Sequence, residues 1–368
     1  MLLTIGEEAE IRHLLTTTVS KEAMLYDPID GSKVKCNLCA RRCSIPEGGT
    51  GFCRVRKNVG GKLLSLVYGK VICANPDPIE KKPLSNFNPG SLVFSIATSG
   101  CNFRCSFCQN WNISQIDQID GEDLPPEDVI KLAKRSECQG VSYTYTEPTI
   151  FFEYAYDCSK LAHENGLFNT FVTNGYMTTE AVKTISPYLD AATVDFKAAG
   201  DPAFYRKFSS VPDVQPIYDS LKAMKANKMH IEITNLVIPR IGDSLERIRE
   251  LSKWVFENLD GDVPFHLLRF HPDYSLKDLP VTPQLTLEKA REIAKSEGLR
   301  YVYTGNMPGH VGENTYCPNC GEELVSRYGF SIESWKISDD MKCPSCGERI
   351  MIRGKYWKGR HTRSALFF

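Results

Sequence analysis

Strand and helix signals alternate six times between residues 91 and 310, which predicts an α/β fold, an open (β/α)6 partial TIM barrel with a parallel sheet. Two further observations support that reading. Polar residues recur just past the apolar strand runs, where barrel-type folds collect their chemistry. Cysteine-rich segments flank the alternating region on both sides. They divide the chain into an N-terminal segment with a four-cysteine metal site (1–90), the barrel (91–310), and a C-terminal zinc ribbon with a basic tail (311–368). Six units fall short of the eight that close a full barrel, so the sheet is expected to stay open.

The elements follow in order. Residues 1–27 read as a short helix ending near Tyr26-Asp-Pro28, and Leu63 to Val71 as a hairpin partner. Prolines in the stretch from Asn75 to Leu84 argue against a helix or a central strand. Glu80, Lys81 and Lys82 there read as solvated, with lining of a site entrance as the alternative. Ser91 to Thr98 is the first barrel strand. A helix over 127–136 starts behind Pro125-Pro126. Gly140 to Tyr145 is the second strand, and Phe151 to Asn165 is a helix stopped by Gly166. Phe168 to Val172 is the third strand, followed by a helix over 179–185. Ala191 to Phe196 is the fourth, and Ile217 to Ala226 its helix, with Pro216 in the first turn. Met229 to Val237 is the fifth. Asp243 with Glu246 reads as a capping box for the next helix. Phe265 to Phe270 is the sixth, Thr286 caps the last helix, and Arg300 to Thr304 can add one further strand.

Of fourteen cysteines, eleven fall in three groups. Cys73, Cys138 and Cys158 read as ordinary buried thiols. Grouped cysteines without a secretory signal argue for metal rather than disulfides. Cys101, Cys105 and Cys108 stand at CxxxCxxC spacing after the first strand. Zinc sites usually take four ligands, whereas an iron–sulfur cubane takes one thiolate per iron. Three thiolates on four irons leave one iron open to bind something else. Phe107 would wall such a cluster from water. The alternative is a zinc knot completed by a distant fourth cysteine.

Cys36, Cys39, Cys43 and Cys53, with Gly48, Gly49 and Gly51 between them, form a closed four-thiol site for zinc or an auxiliary iron–sulfur cluster. Arg41 and Arg42 lie among them, either supporting thiolates or simply solvated. Cys317-Pro-Asn-Cys320-Gly and Cys343-Pro-Ser-Cys346-Gly make a zinc-ribbon signal. The basic stretch Arg353 to Arg363, interleaved with Tyr356 and Trp357, reads as a solvated tail, with RNA or an acidic partner as the alternative. His310 either faces the barrel mouth or caps a loop.

The cysteine trio resembles the radical S-adenosylmethionine (SAM) superfamily, and the barrel is similar to the activating enzymes of pyruvate formate-lyase. The whole chain resembles the AmmeMemoRadiSam-system radical SAM proteins. That resemblance rests on Cys108-Gln-Asn-Trp111, Tyr143-Thr-Tyr-Thr-Glu-Pro148, Val172-Thr-Asn-Gly-Tyr176, Asn235-Leu-Val-Ile-Pro239 and Arg269-Phe-His-Pro-Asp-Tyr274, among other stretches. It implies a [4Fe-4S] cluster on Cys101, Cys105 and Cys108. The open iron would chelate SAM, and an electron from the cluster would release a 5′-deoxyadenosyl radical that abstracts hydrogen. It further implies SAM contacts from Phe107, Asn110, Glu147, Thr173, Asn174, Asp195, Lys197, Ile238 and His271. Lys197 would pair the SAM carboxylate, Ile238 would face adenine, and His271 would sit on the rim. Val172 replaces an acidic residue of the activases, and the bland account of Asp195 and Lys197 is a structural ion pair.

Charge is balanced, 44 basic against 45 acidic residues in 368, which gives no global pull toward nucleic acid or anionic membrane. No apolar run reaches the length needed to cross a bilayer and no signal peptide is evident, so a cytoplasmic location is expected. Expected partners are an electron donor of ferredoxin or flavodoxin type and a substrate that is a protein, a peptide or a small molecule; nucleic acid is not expected. Two companion proteins are implied by the family name. The competing classes are a metal-stabilised nucleic-acid or protein binding module built on the two four-cysteine sites, and an electron carrier.

Overall fold

The structure, a computed structural model, describes residues 20–358. A nine-stranded sheet organises it. Its main strands are β1 (Lys70–Pro78), β2 (Leu92–Thr98), β3 (Gly140–Tyr143), β4 (Phe168–Thr173), β5 (Ala191–Lys197), β6 (His230–Val237), β7 (Phe265–Arg269) and β8 (Val302–Gly305). They lie side by side in sequence order, β8 at one end and β1 next to the two-residue strand Glu122–Asp123 at the other. β2 to β8 are parallel neighbours, so the expected further strand after residue 300 is present. Their side chains are buried almost throughout, as parallel strands covered on both faces require.

Helices α1 (Pro126–Arg135), α2 (Phe152–Glu164), α3 (Thr179–Ile185), α4 (Pro202–Ser209), α5 (Gln215–Ala226), α6 (Leu245–Asn258) and α7 (Gln284–Ser296) supply the crossovers. Their apolar faces join the strands in one continuous core. Because β2 to β8 all run the same way, the loops after them gather at one end of the sheet. That end receives the cysteine trio and the polar residues singled out above.

Several local expectations are corrected. Residues 20–28 form two short strands around a bend at Leu25, not a helix: Lys21–Glu22 pairs with Leu64–Ser65 and Tyr26–Pro28 with Val34–Cys36. The rest of the expected helix lies outside the described residues. Lys70–Pro78 is a long strand antiparallel to β2 despite Pro76 and Pro78. Its outer side is paired only at Lys70 and Val71, so both prolines sit where no ladder donor is needed. Ser244, not Asp243, caps α6, accepting from the Arg247 amide at 3.3 Å. α7 begins at Gln284 behind Pro283, so Thr286 lies inside it. α4 was not anticipated. Cys138 and Cys158 are buried, but Cys73 is only half-buried.

The ribbon contributes β9 (Thr315–Tyr316), β10 (Glu323–Tyr328) and β11 (Ser331–Trp335), an antiparallel sheet. Leu324, Val325, Ile337 and Ile350 pack with Tyr301 and Tyr303, anchoring it to β8. The following chain, to residue 358, is anchored by its backbone and aromatics, while Arg353, Lys355 and Lys358 stay exposed as expected. Arg353 donates its amide to the Asn86 carbonyl at 2.8 Å, and Tyr356 stacks on Trp335 at 4.3 Å. Residues 359–363 of the basic stretch lie outside the described residues. His310 caps the turn Val311–Glu313 through Nδ1 and does not line the cavity described next.

Candidate functional site

Gly100 starts the cysteine loop with φ +101°, a conformation open to glycine. A Cβ there would lie 2.8 Å from Val55 Cγ1 and 3.1 Å from the Cys53 carbonyl, so the loop presses directly on the N-terminal segment. α4 holds the loop from the other side. The Arg104 amide donates to the Ser209 carbonyl at 3.0 Å and the Ser106 amide to the Phe208 carbonyl at 2.9 Å. Arg104 also ties the loop to itself, donating to the Cys101 carbonyl at 2.8 Å.

The loop turns Cys101, Cys105 and Cys108 into a cavity of about 520 Å³ at the C-terminal ends of the strands. Among the described residues, no fourth cysteine lines it. Each sulfur has a partner: the Phe103 amide for Cys101 (3.4 Å), Ser209 Oγ for Cys105 (3.4 Å) and Ser114 Oγ for Cys108 (3.3 Å). Burial pushes the thiol pKa values up, to about 11 for Cys105 and well above the ordinary value for Cys101. Metal binding here must therefore expel protons from sulfur.

The strand ends supply the rest of the wall. Glu147 follows β3 and is 2% exposed. Its Oε1 accepts from the Thr149 amide (3.0 Å), Thr149 Oγ1 (2.5 Å) and Thr173 Oγ1 (2.7 Å), and its Oε2 from the Asn174 amide (2.7 Å). Burial nonetheless raises its pKa. Glu147 thus binds the end of β3 to the end of β4, with acceptor capacity left on Oε2. Asn174 Nδ2 donates to Asn102 Oδ1 at 2.7 Å, joining β4 to the cysteine loop. Gly175 allows this turn at φ +70°, where a Cβ would meet Val194 Cγ1 at 2.7 Å.

On β5, Asp195 accepts from Thr234 Oγ1 at 2.5 Å, and its Oδ2 lies 3.4 Å from Lys197 Nζ. The pair is real and long, and both members line the cavity. Phe107 is buried against Phe204 and lines the cavity beside the thiols. Asn110 donates to the Tyr145 carbonyl at 2.8 Å, and Tyr145 adopts φ +62°, which bends the chain after β3. His271 is exposed at the rim. Ile238 alone among the expected residues does not line the cavity: it is fully buried and pairs its backbone with Gly242. Leu236 and Leu268 provide the apolar wall instead.

Lys81 and Lys82 line the cavity rather than standing in solvent. Asp77, on β1, is held by Lys82 (2.7 Å), Lys81 (2.8 Å) and the Tyr145 hydroxyl. Burial would raise the Asp77 pKa, but the two ammonium groups outweigh it and bring it down to about 2. Burial lowers Lys82 to about 8 against the pull of Asp77. Glu80 points away and is buried, accepting from the Gly90 amide at 2.7 Å. Phe330, from the ribbon, also reaches the cavity. A lysine pair in a proline-rich connector and an aromatic in a distant ribbon carry no periodicity to flag them. Another cavity, of about 510 Å³, lies where α7 meets the ribbon. It has none of these strand-end groups.

A thiol trio and strand-end polar groups thus share one cavity at the C-terminal end of an α/β sheet. Residues 95–255 are a radical SAM superfamily domain by their match to that family's model, and the similarity to a pyruvate formate-lyase-activating enzyme agrees. It is 47% identical over 313 residues to an uncharacterized protein of Methanocaldococcus jannaschii, covering 84% of this chain and 92% of that one. It is 26% identical over 216 residues to the pyruvate formate-lyase-activating enzyme of Clostridium pasteurianum, covering 53% and 86%. A solved radical SAM methyltransferase from Sphaerobacter thermophilus aligns at TM-score 0.47 and 13% identity, covering 85% and 86%. SAM-dependent radical chemistry is the activity that the family match and the activating-enzyme relative support.

Proposed function

We propose that the chain is a radical SAM enzyme in an open partial TIM barrel, with Cys101, Cys105 and Cys108 holding a [4Fe-4S] cluster that keeps one iron free of protein ligand. The observation that carries this is the convergence of three thiols, without a fourth among the described residues, and the polar strand ends on one cavity. The donor set fits: three sulfurs on one loop suit thiolate ligation of iron, and the cavity leaves room beside them. When bound, the reduced cluster with SAM supplies a 5′-deoxyadenosyl radical that removes hydrogen from a substrate carbon.

The chain's own task is to hold, orient and shield. Phe107 and Phe103 keep water from the sulfur side. Lys197, at 17% side-chain exposure, pairs the SAM carboxylate, and Asp195 keeps its ammonium in place. Glu147, Thr173, Asn174 and Asn102 act as one hydrogen-bonded frame between β3, β4 and the cysteine loop. Asn110 fixes the bend at Tyr145, and His271 stands where substrate enters. Zinc in the C-terminal ribbon serves folding: Cys317 and Cys346 sulfurs lie 3.6 Å apart, Cys320 and Cys343 3.7 Å.

The substrate is a protein, a peptide or a small molecule, and the electron comes from a ferredoxin- or flavodoxin-type donor in the cytoplasm. No helix among the described residues is long and apolar enough to cross a membrane. The test is anaerobic EPR of the reduced protein. Added SAM should change the cluster spectrum of wild type. An intact, reducible cluster whose spectrum ignores saturating SAM would refute the proposal.

A further inference from the structure

The N-terminal four thiols have a geometry that chooses between their two candidate metals. Cys36, Cys39, Cys43 and Cys53 all line one small cavity, together with Arg41, Arg56 and Ile150. They come from different turns of the segment: Cys36 ends a short strand, and the Cys43 sulfur accepts from the Phe52 amide at 3.5 Å. Gly51 lets the chain pass, since a Cβ there would sit 3.8 Å from both the Cys43 and the Cys53 sulfurs.

Spacing separates the metals. With Zn–S near 2.3 Å, a tetrahedral zinc site sets its sulfurs about 3.8 Å apart. The ribbon thiols meet that, at 3.6 and 3.7 Å. Among the described residues, the ribbon four are the group of potential ligands that closes to within 4.8 Å. Neither the N-terminal four nor Cys101, Cys105 and Cys108 close into such a group among the described residues. A cubane, with one iron for each thiolate, holds its ligands farther apart than one zinc ion does.

The surroundings call for an anion. Arg41 Nη2 is buried without a hydrogen-bond partner and Arg41 lines the thiol cavity, whereas Arg56, also there, already pairs its charge with Glu153. A guanidinium nitrogen in that state suits a group of thiolates carrying net negative charge. The site also touches the barrel loop. Arg41 Nε donates to the Asn102 carbonyl at 3.0 Å, Arg104 donates to the Phe52 carbonyl, and Val55 packs on Gly100.

We propose that Cys36, Cys39, Cys43 and Cys53 hold a second [4Fe-4S] cluster rather than zinc, directly behind the loop of the first. With every iron ligated by protein it has no open position, so it is an electron-holding group and not a SAM site. This inference stands apart from the SAM reading of the barrel cavity, and the two fail separately.

The experiment is metal and sulfide analysis of the full chain after anaerobic reconstitution. Wild type should hold about eight irons and about one zinc, the zinc belonging to the ribbon. The Cys101/Cys105/Cys108 triple alanine variant should keep about four irons with a [4Fe-4S] spectrum, and Cys36→Ser/Cys39→Ser should lose about four. About four irons with about two zincs in wild type would overturn the proposal, whatever the variants do. About four irons in both wild type and the triple variant, with one zinc, would uphold it and remove the barrel cluster instead.

Discussion

Arg56 and Glu153 form a buried ion pair that fastens the N-terminal four-cysteine segment to α2, and breaking it should loosen that segment first. Both side chains are nearly sealed, at 2% and 0% exposure. Arg56 Nη1 reaches Glu153 Oε2 at 2.8 Å and Nη2 reaches Oε1 at 3.0 Å, a bidentate fork. The Met24 amide donates to Oε1 at 2.7 Å, and the Met24 carbonyl accepts from Arg56 at 3.0 Å. Arg56→Met leaves Glu153 buried without a counter-charge, which costs about 3–5 kcal/mol. At 1.36 kcal/mol per decade, the opening equilibrium rises roughly 150- to 5,000-fold. Native-state hydrogen exchange reads this directly: amides in residues 34–65 should lose protection by that factor, while β4 and β5 change little. Arg56→Met/Glu153→Leu removes both charges and should recover part of the loss. Protection in residues 34–65 that falls less than about threefold in the single variant would refute the reasoning, since exposed pairs are worth that little.

Other outcomes follow from the same geometry. Lys197→Ala should weaken SAM binding about 10- to 100-fold by isothermal titration, as loss of a charge-assisted bond does, while iron content holds; unchanged affinity would make the Asp195 pair purely structural. Gly100→Ala, forced against Val55 at φ +101°, should cost about 1–3 kcal/mol and lower iron incorporation; normal loading would show that the loop relaxes freely. Burial would raise the Glu232 carboxyl, but His230 (3.0 Å) and His266 (2.7 Å) outweigh it and hold it down to about 2. A depressed carboxylate stabilises the fold above its unfolded pKa and loses that contribution as pH falls. Stability should therefore decline from about pH 4.5 toward 2, and Glu232→Gln should flatten that decline in acid-unfolding curves.

The sheet and the thiols were legible because each depends on local pattern. Apolar runs such as Leu92 to Ala97 and helix stops such as Gly166 mark themselves. Parallel order then forces Glu147, Thr173, Asn174, Asp195 and Lys197 to one end. What pattern missed depends on distant partners. Pro76 and Pro78 are tolerated in β1 because its outer side is unpaired there, a fact of sheet position. α4 is only eight residues long, yet it holds the cysteine loop through Phe208 and Ser209. Lys81 and Lys82 look solvated until Asp77 and Tyr145 draw them inward, and Phe330 arrives from the ribbon. Ile238 resembled an adenine contact by motif, but its pairing with Gly242 turns it into the core.

The central claim is that one iron, held behind Cys101, Cys105 and Cys108, is open to SAM. The most direct measurement is product analysis of the reconstituted, reduced full chain with SAM under anaerobic conditions, beside Cys105→Ala. Wild type should release 5′-deoxyadenosine and methionine, and the variant neither. Equal amounts from both, or none from a wild type whose cluster is full, reducible and spectroscopically indifferent to SAM, would contradict the claim.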